Sequence, residues 1–105
     1  MKKTAQIQNL DHLIIKTVRL DAWLYRTRLV KTRTAATAVI ISGKIRVTRN
    51  GVTKRIKKPS TPINSGDQVS FIHFNRLIQV EMVASPKRRV SAVEAKSLYI
   101  DHESS

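Results

Sequence analysis

The chain has 105 residues, 41% of them hydrophobic, with 20 Lys and Arg against 7 Asp and Glu, a formal charge of +13. That length supports one domain around one core, and that charge favours a polyanionic partner, nucleic acid before an anionic membrane surface. The sequence holds no cysteine, which excludes disulfides and thiolate metal sites and fits a reducing compartment, and it holds no apolar run of about 18 residues that would span a membrane.

The start, Met1-Lys2-Lys3, has the charge of a signal-peptide n-region, but Gln6, Gln8, Asn9, Asp11 and His12 follow it. Leu13-Ile14-Ile15 is too short for an h-region, so a cytoplasmic protein is expected. Residues 1–17 read as an N-terminal leader, flexible or briefly helical through Leu10, Leu13 and Ile14.

Residues 20–29 read as a helix with Asp21 as its N-cap. Leu20, Trp23, Leu24 and Thr27 fall on one side at the i, i+3, i+4, i+7 spacing, which makes Trp23 a core residue and leaves Arg26 off the stripe. Residues 33–42 read as a second helix, with Thr32 as N-cap and Gly43 at the left-handed C′ position. Its expected inner stripe is Ala35, Ala38 and Val39, and the short link Val30-Lys31 makes the two helices a compact pair.

From Lys44 the period becomes two. Ile45, Val47 and Val52 alternate with polar residues, and Asn50-Gly51 signals a tight hairpin returning through Thr53–Ile56. The stretch 57–62 is a loop, its two prolines excluding a central strand, and Ser65-Gly66-Asp67 is a turn. Val69–Phe74 and Leu77–Val83 are expected as a hairpin across Asn75-Arg76, with Ser85-Pro86 closing the sheet. Lys87-Arg88-Arg89 reads as a basic linker that touches the ligand. Ser91 and Glu94 fit a capping box for a closing helix over 91–100, with Ala92, Ala95, Leu98 and Tyr99 on its apolar side and a disordered tail from His102.

The seven acids are Asp11, Asp21, Asp67, Glu81, Glu94, Asp101 and Glu103. None lies between Ala22 and Gly66, where eleven Lys and Arg residues fall, from Arg26 to Lys58. Surfaces that serve solubility alone mix both signs, so this stretch is the candidate binding surface. Within it, the start of the second helix breaks a local rule. A helix N-terminus prefers acids, yet this one reads Lys31-Thr32-Arg33-Thr34. A bound phosphate would turn those cations, the hydroxyls and the free N–H groups to advantage. Lys44 and Arg46, two apart on a strand, share one side.

Arg19-Leu20-Asp21-x-Trp23-Leu24, Lys31-Thr32-Arg33-x-x-Ala36, Ile40-x-x-Gly43-Lys44-Ile45-x-Val47, Lys58-Pro59-Ser60 and Gly66-Asp67 resemble, in order and spacing, the RNA-binding domain of ribosomal protein S-four. Within it the pattern is most similar to the bacterial heat-shock protein 15 family. The resemblance covers residues 18–84, and Ala92–Tyr99 extends it. Residues 85–105 then form a basic linker, a short C-terminal helix and a tail. Relative to the family pattern, the segment from Lys44 to Lys58 is longer and a long basic C-terminal extension is missing.

The resemblance implies an α+β fold: two packed helices on a small antiparallel sheet (the αL RNA-binding motif), with a short C-terminal helix. It implies RNA-facing positions at Arg19, Lys31, Thr32, Arg33 and Lys44, with Lys58 and Ser60 matching pattern positions as well. Arg26, Thr34 and Arg46 join this set from the helix and strand patterns. The implied partners are ribosomal RNA, tRNA and the large ribosomal subunit carrying a stalled nascent chain. The strong positive charge favours a monomer, and the residue patterns lead us to expect no cofactor, metal, membrane or small-molecule substrate.

The rival classes are an RNA- or DNA-binding protein without a ribosomal role, and an accessory module for an RNA-modifying enzyme. Catalysis by the chain itself has little to stand on, because His12, His73 and His102 are scattered and no paired carboxylates or phosphate loop stand out.

Overall fold

The computed structural model describes residues 14–15 and 17–102. In chain order these form β1 (Ile14–Ile15), β2 (Thr17–Arg19), α1 (Leu20–Arg26), α2 (Arg33–Ile41), β3 (Ile45–Arg49), β4 (Val52–Ile56), β5 (Pro62–Asn64), β6 (Gln68–His73), β7 (Arg76–Met82), β8 (Ser85–Pro86), α3 (Ala92–Ala95) and β9 (Tyr99–Asp101). The expected leader and tail fall at 1–13 and 103–105 outside the described residues, but Ile14–Ile15 is a strand rather than part of a helix. His102 is tied in rather than free, its N–H donating to the Gln79 carbonyl at 2.8 Å.

Five strands make one antiparallel sheet in the order β4-β3-β6-β7-β9, and two short pairs, β1-β8 and β2-β5, flank it. This is the expected α+β class. The inward face of the sheet presents Ile45, Val47, Val69, Phe71, Val80 and Met82, which join Leu20, Trp23 and Leu24 of α1 and Ala36 and Ile40 of α2 in one core. Alternation along the strands therefore sends Arg46, Thr48, Ser70, Ile72, Leu77 and Gln79 to the opposite, outward face. Trp23 lies wholly in the core, its indole N–H donating to the Ala84 carbonyl at 3.0 Å. No helix among the described residues is long and apolar enough to cross a membrane.

Several local readings are corrected. The first helix stops at Arg26 rather than 29, because Thr27 leaves the helical run and Arg28 takes φ 61°. Its N-cap is Arg19, not Asp21. The Leu20 and Asp21 N–H groups donate to the carbonyls of Thr61 (2.9 Å) and Pro59 (3.2 Å), so the proline loop does the capping. In α2 Ala36 and Ile40 are fully buried, the expected Ala35 and Val39 are half-buried against the same core, and the expected Ala38 is exposed. The Thr32 cap, which accepts from the Ala35 N–H at 2.9 Å, and Gly43 at φ 77° are as read.

The β6–β7 hairpin turns on Phe74-Asn75 rather than Asn75-Arg76. The closing helix has its capping box but ends at Ala95. Tyr99 instead pairs with Met82 in β9, where the strand satisfies the free edge of β7 and the Tyr99 ring meets Trp23 edge-on at 6.5 Å.

Candidate nucleic-acid interface

Asp21 organises the mouth between α1 and α2. Its carboxylate is almost wholly buried. Arg19 donates to it in a fork, Nε to Oδ1 at 3.0 Å and Nη2 to Oδ2 at 2.9 Å. The Ala22 N–H donates to Oδ1 at 2.7 Å, and Arg33 Nη2 reaches Oδ2 at 3.5 Å. Burial pulls the carboxyl pKa up, but the Arg19 bonds, the Arg33 charge and the Ala22 N–H outweigh it and hold the group below its ordinary value.

One carboxylate thus gathers two arginines from the starts of two helices. Both guanidiniums remain about half exposed. A guanidinium has five N–H donors; Arg19 commits two and Arg33 one, so the pair keeps donors and one net positive charge toward solvent.

The rest of the expected set arranges itself around this pair or away from it. Lys31, Thr32 and Thr34 are exposed at the α2 N-terminus beside Arg33. There the Ala35 N–H is taken by Thr32 Oγ1 and the Ala36 N–H by the Thr32 carbonyl, while those of Arg33 and Thr34 have no partner among the described residues. The cations at this cap are thus less misplaced than the sequence alone suggests, because Asp21 reaches Arg33 from α1. Lys58 and Ser60 flank Pro59 in the loop that caps α1, which puts them at the same mouth. Arg26 is half buried and donates to the Pro86 carbonyl at 3.2 Å. Its burial first, then the neighbouring Arg33 charge, lowers its pKa.

Lys44 and Arg46 do not join that group. They lie past the far end of α2, whose nine residues are about 13 Å long. There they line a groove with Arg55 and Ser70. Arg55, absent from the expected set, sits directly opposite Arg46 in the hairpin register. The Asn50-Gly51 turn fixes that pairing, so the signal was available in the sequence.

Other basic residues are spent on structure. Asp67 is buried and takes a fork from Arg49, Nε at 2.9 Å and Nη2 at 2.6 Å, together with the Asn64 N–H at 2.7 Å. Nor is Lys87–Arg89 a free linker. Arg89 donates to the carbonyls of Tyr25 (3.0 Å) and Lys31 (3.2 Å) and lies over the Tyr25 ring at 4.7 Å, while Arg28 donates to the Val90 carbonyl. These bonds brace the turn that presents Lys31 and Thr32. No group of three or more His, Asp or Glu among the described residues can hold a metal ion.

The S4 domain family model matches residues 18–69. A heat shock protein 15 homolog of Haemophilus influenzae is 34% identical over 86% of this chain, and the match spans 65% of that protein's length. The RQC P-site tRNA stabilizing factor of Listeria innocua is 36% identical over 79% of this chain and 84% of its own. The trimeric structure of Vibrio cholerae heat shock protein 15 superposes with a TM-score of 0.72 at 30% identity, over 86% of each chain. The chain therefore belongs to the S4-domain family, among the small proteins related to heat shock protein 15.

Proposed function

We propose that this protein binds structured RNA of the ribosome, as a binding factor rather than a catalyst, through the mouth between α1 and α2. The observation that carries the reading is the arginine pair on Asp21, set beside Lys31, Thr32 and the unpartnered N–H groups at the start of α2. A phosphate seated there receives charge-assisted bonds from Arg19 and Arg33 and the favourable end of the α2 dipole. A-form RNA hides its base edges in a narrow groove, so such a site reads backbone and shape. The membership in the S4-domain family supports RNA over DNA as the polyanion.

The target proposed is large-subunit ribosomal RNA together with tRNA on the ribosome. The relatives named for stabilizing P-site tRNA support the tRNA half of this reading. Lys58 and Ser60 extend the contact from the α1 side, and Arg26 contributes its charge from behind Arg33. Neutralising about six phosphates gives a slope of log K against log salt near −4 for single strands and steeper for duplex.

The deciding experiment is ultraviolet crosslinking of the protein in its host, followed by sequencing of the attached RNA. Enrichment of large-subunit ribosomal RNA and tRNA is expected. Enrichment of messenger RNA, or preference for duplex DNA over structured RNA at equal salt, contradicts the proposal.

A further inference from the structure

On the outward face of the sheet the strand register lines up one row of side chains. Arg55 of β4 stands opposite Arg46 of β3, Arg46 opposite Ser70 of β6, and Ser70 opposite Gln79 of β7. Neighbouring strands lie about 4.8 Å apart, so the row spans roughly 14 Å. Arg55, Arg46 and Gln79 are exposed and Ser70 is half-buried. Lys44 joins the two arginines along the groove beside the end of α2, and Thr48 and Gln68 line a polar hollow that shares Ser70 and Gln79. Phe71 and Tyr99 turn to the core instead, so the row offers an unpaired base no ring to stack on.

The basic end of the row runs against a local rule. The two-residue turn after Arg49 makes Arg49–Val52 a hydrogen-bonded pair, so by alternation Arg46–Arg55 is a non-hydrogen-bonded one, where opposed side chains stand closest. The Thr48–Thr53 pair, of the same kind, brings its hydroxyls to 2.7 Å. Like charges directly opposite are destabilising, and neither arginine is in an ion pair among the described residues. An anion between them reverses the sign of that interaction. At the other end the Ser70 hydroxyl and the Gln79 amide supply donors and acceptors without charge.

We propose that this face lies against the minor groove of an RNA duplex, with Lys44, Arg46 and Arg55 on the phosphates of one strand and Ser70 and Gln79 on the 2′-hydroxyls inside the groove. The minor groove of A-form RNA is wide, shallow and lined with 2′-hydroxyls, which suits a row that passes from cations to neutral hydrogen-bonding groups. An unpaired strand binds through stacked bases as well as phosphates, and the row has no surface for them. An acidic protein segment answers the arginines alone. The inference rests on the proposed RNA binding and adds a second contact, at the opposite end of α2 from Arg33.

The test uses the full chain, an RNA hairpin and a DNA hairpin of the same sequence. Arg46→Gln with Arg55→Gln weakens RNA binding roughly tenfold and makes the slope of log K against log salt shallower by about two. It does not lower the thermal midpoint of the free protein, because a like-charge pair is relieved. Lys54→Gln removes a charge next to Arg55 on the opposite side of β4 and binds as the wild type does. Ser70→Ala with Gln79→Ala lowers RNA affinity roughly fivefold. It leaves DNA affinity and the salt slope unchanged, because only RNA has the 2′-hydroxyl. If Lys54→Gln loses as much as Arg55→Gln alone, or if the Ser70 and Gln79 variant loses RNA and DNA equally or neither, the duplex contact is overturned and the proposed function stands. The same holds if Arg46→Gln with Arg55→Gln leaves RNA affinity intact, or weakens binding of polyglutamate as much as of RNA, which marks a site for an acidic protein. A wild type without affinity for the RNA hairpin overturns both readings.

Discussion

Asp21 and Asp67 are both buried aspartates gripped in a fork by an arginine from the same chain, yet they end in different states. Asp67 has Arg49 and the Asn64 N–H, a closed set in which one negative charge meets one positive charge. Asp21 has Arg19 and, at longer range, Arg33, so its cluster carries a surplus cation and unused donors at the surface. The difference teaches that a salt bridge can end an electrostatic argument or begin one. The closed pair fastens the β5–β6 turn to β3, whereas the open cluster holds two guanidiniums in place at the surface, which in the proposed RNA contact lowers the ordering cost of binding.

Three outcomes sharpen that contrast in stability, from large to small. Asp67→Ala leaves Arg49 and the Asn64 N–H without their acceptor and costs about 2–3 kcal/mol, read as a lowered urea midpoint at constant m-value. Arg49→Gln costs less, about 1 kcal/mol, because the guanidinium is half exposed and water replaces part of the contact. Arg33→Gln shifts stability by no more than about 0.5 kcal/mol, since its 3.5 Å contact is long and exposed. A larger loss in Arg33→Gln than in Arg49→Gln would reverse the assignment of structural and open roles.

Acid titration supplies a separate check. In Asp67, burial pulls the pKa up, but the Arg49 bonds and the Asn64 N–H hold it below the ordinary 3.8. Asp21 is held low in the same sense. A carboxyl depressed in the folded state stabilises the fold fully above its unfolded value and loses that contribution as pH falls through its folded value. Stability is therefore flat from pH 7 down to about 5 and declines below about 4. In Asp67→Asn the decline is shallower, and an unchanged acid limb in that variant contradicts the pairing.

Much of the fold was legible because its signals are local. The Thr32 cap, Gly43, the Asn50-Gly51 turn and the Leu20-Trp23-Leu24-Thr27 stripe are each written within a few residues, and the structure keeps them all. What failed depends on distant partners. The closing helix gave way to β9 because β7 had a free edge and Trp23 a face for Tyr99. Asp21 reads as a cap until the 58–61 loop is seen to do that work, which frees its carboxylate for two arginines. The acid-free stretch marks a basic region but could not divide it. Arg49 belongs to a buried acid 18 residues on, and Lys44 and Arg46 stand at the other end of α2 from Arg33, because spacing along a chain does not say which end of a helix a strand returns to.

The central claim is that the arginines on Asp21 face RNA and the arginine on Asp67 does not. Arg33→Gln and Arg49→Gln each remove one positive charge, so a diffuse electrostatic field treats them alike. Affinity for a structured ribosomal RNA hairpin, measured for the wild type and both variants across a range of salt concentrations, separates the cases. The account predicts that Arg33→Gln weakens binding about tenfold and makes the slope of log K against log salt shallower by about one, with Arg49→Gln indistinguishable from the wild type. Equal losses in the two variants, or a loss confined to Arg49→Gln, would contradict it.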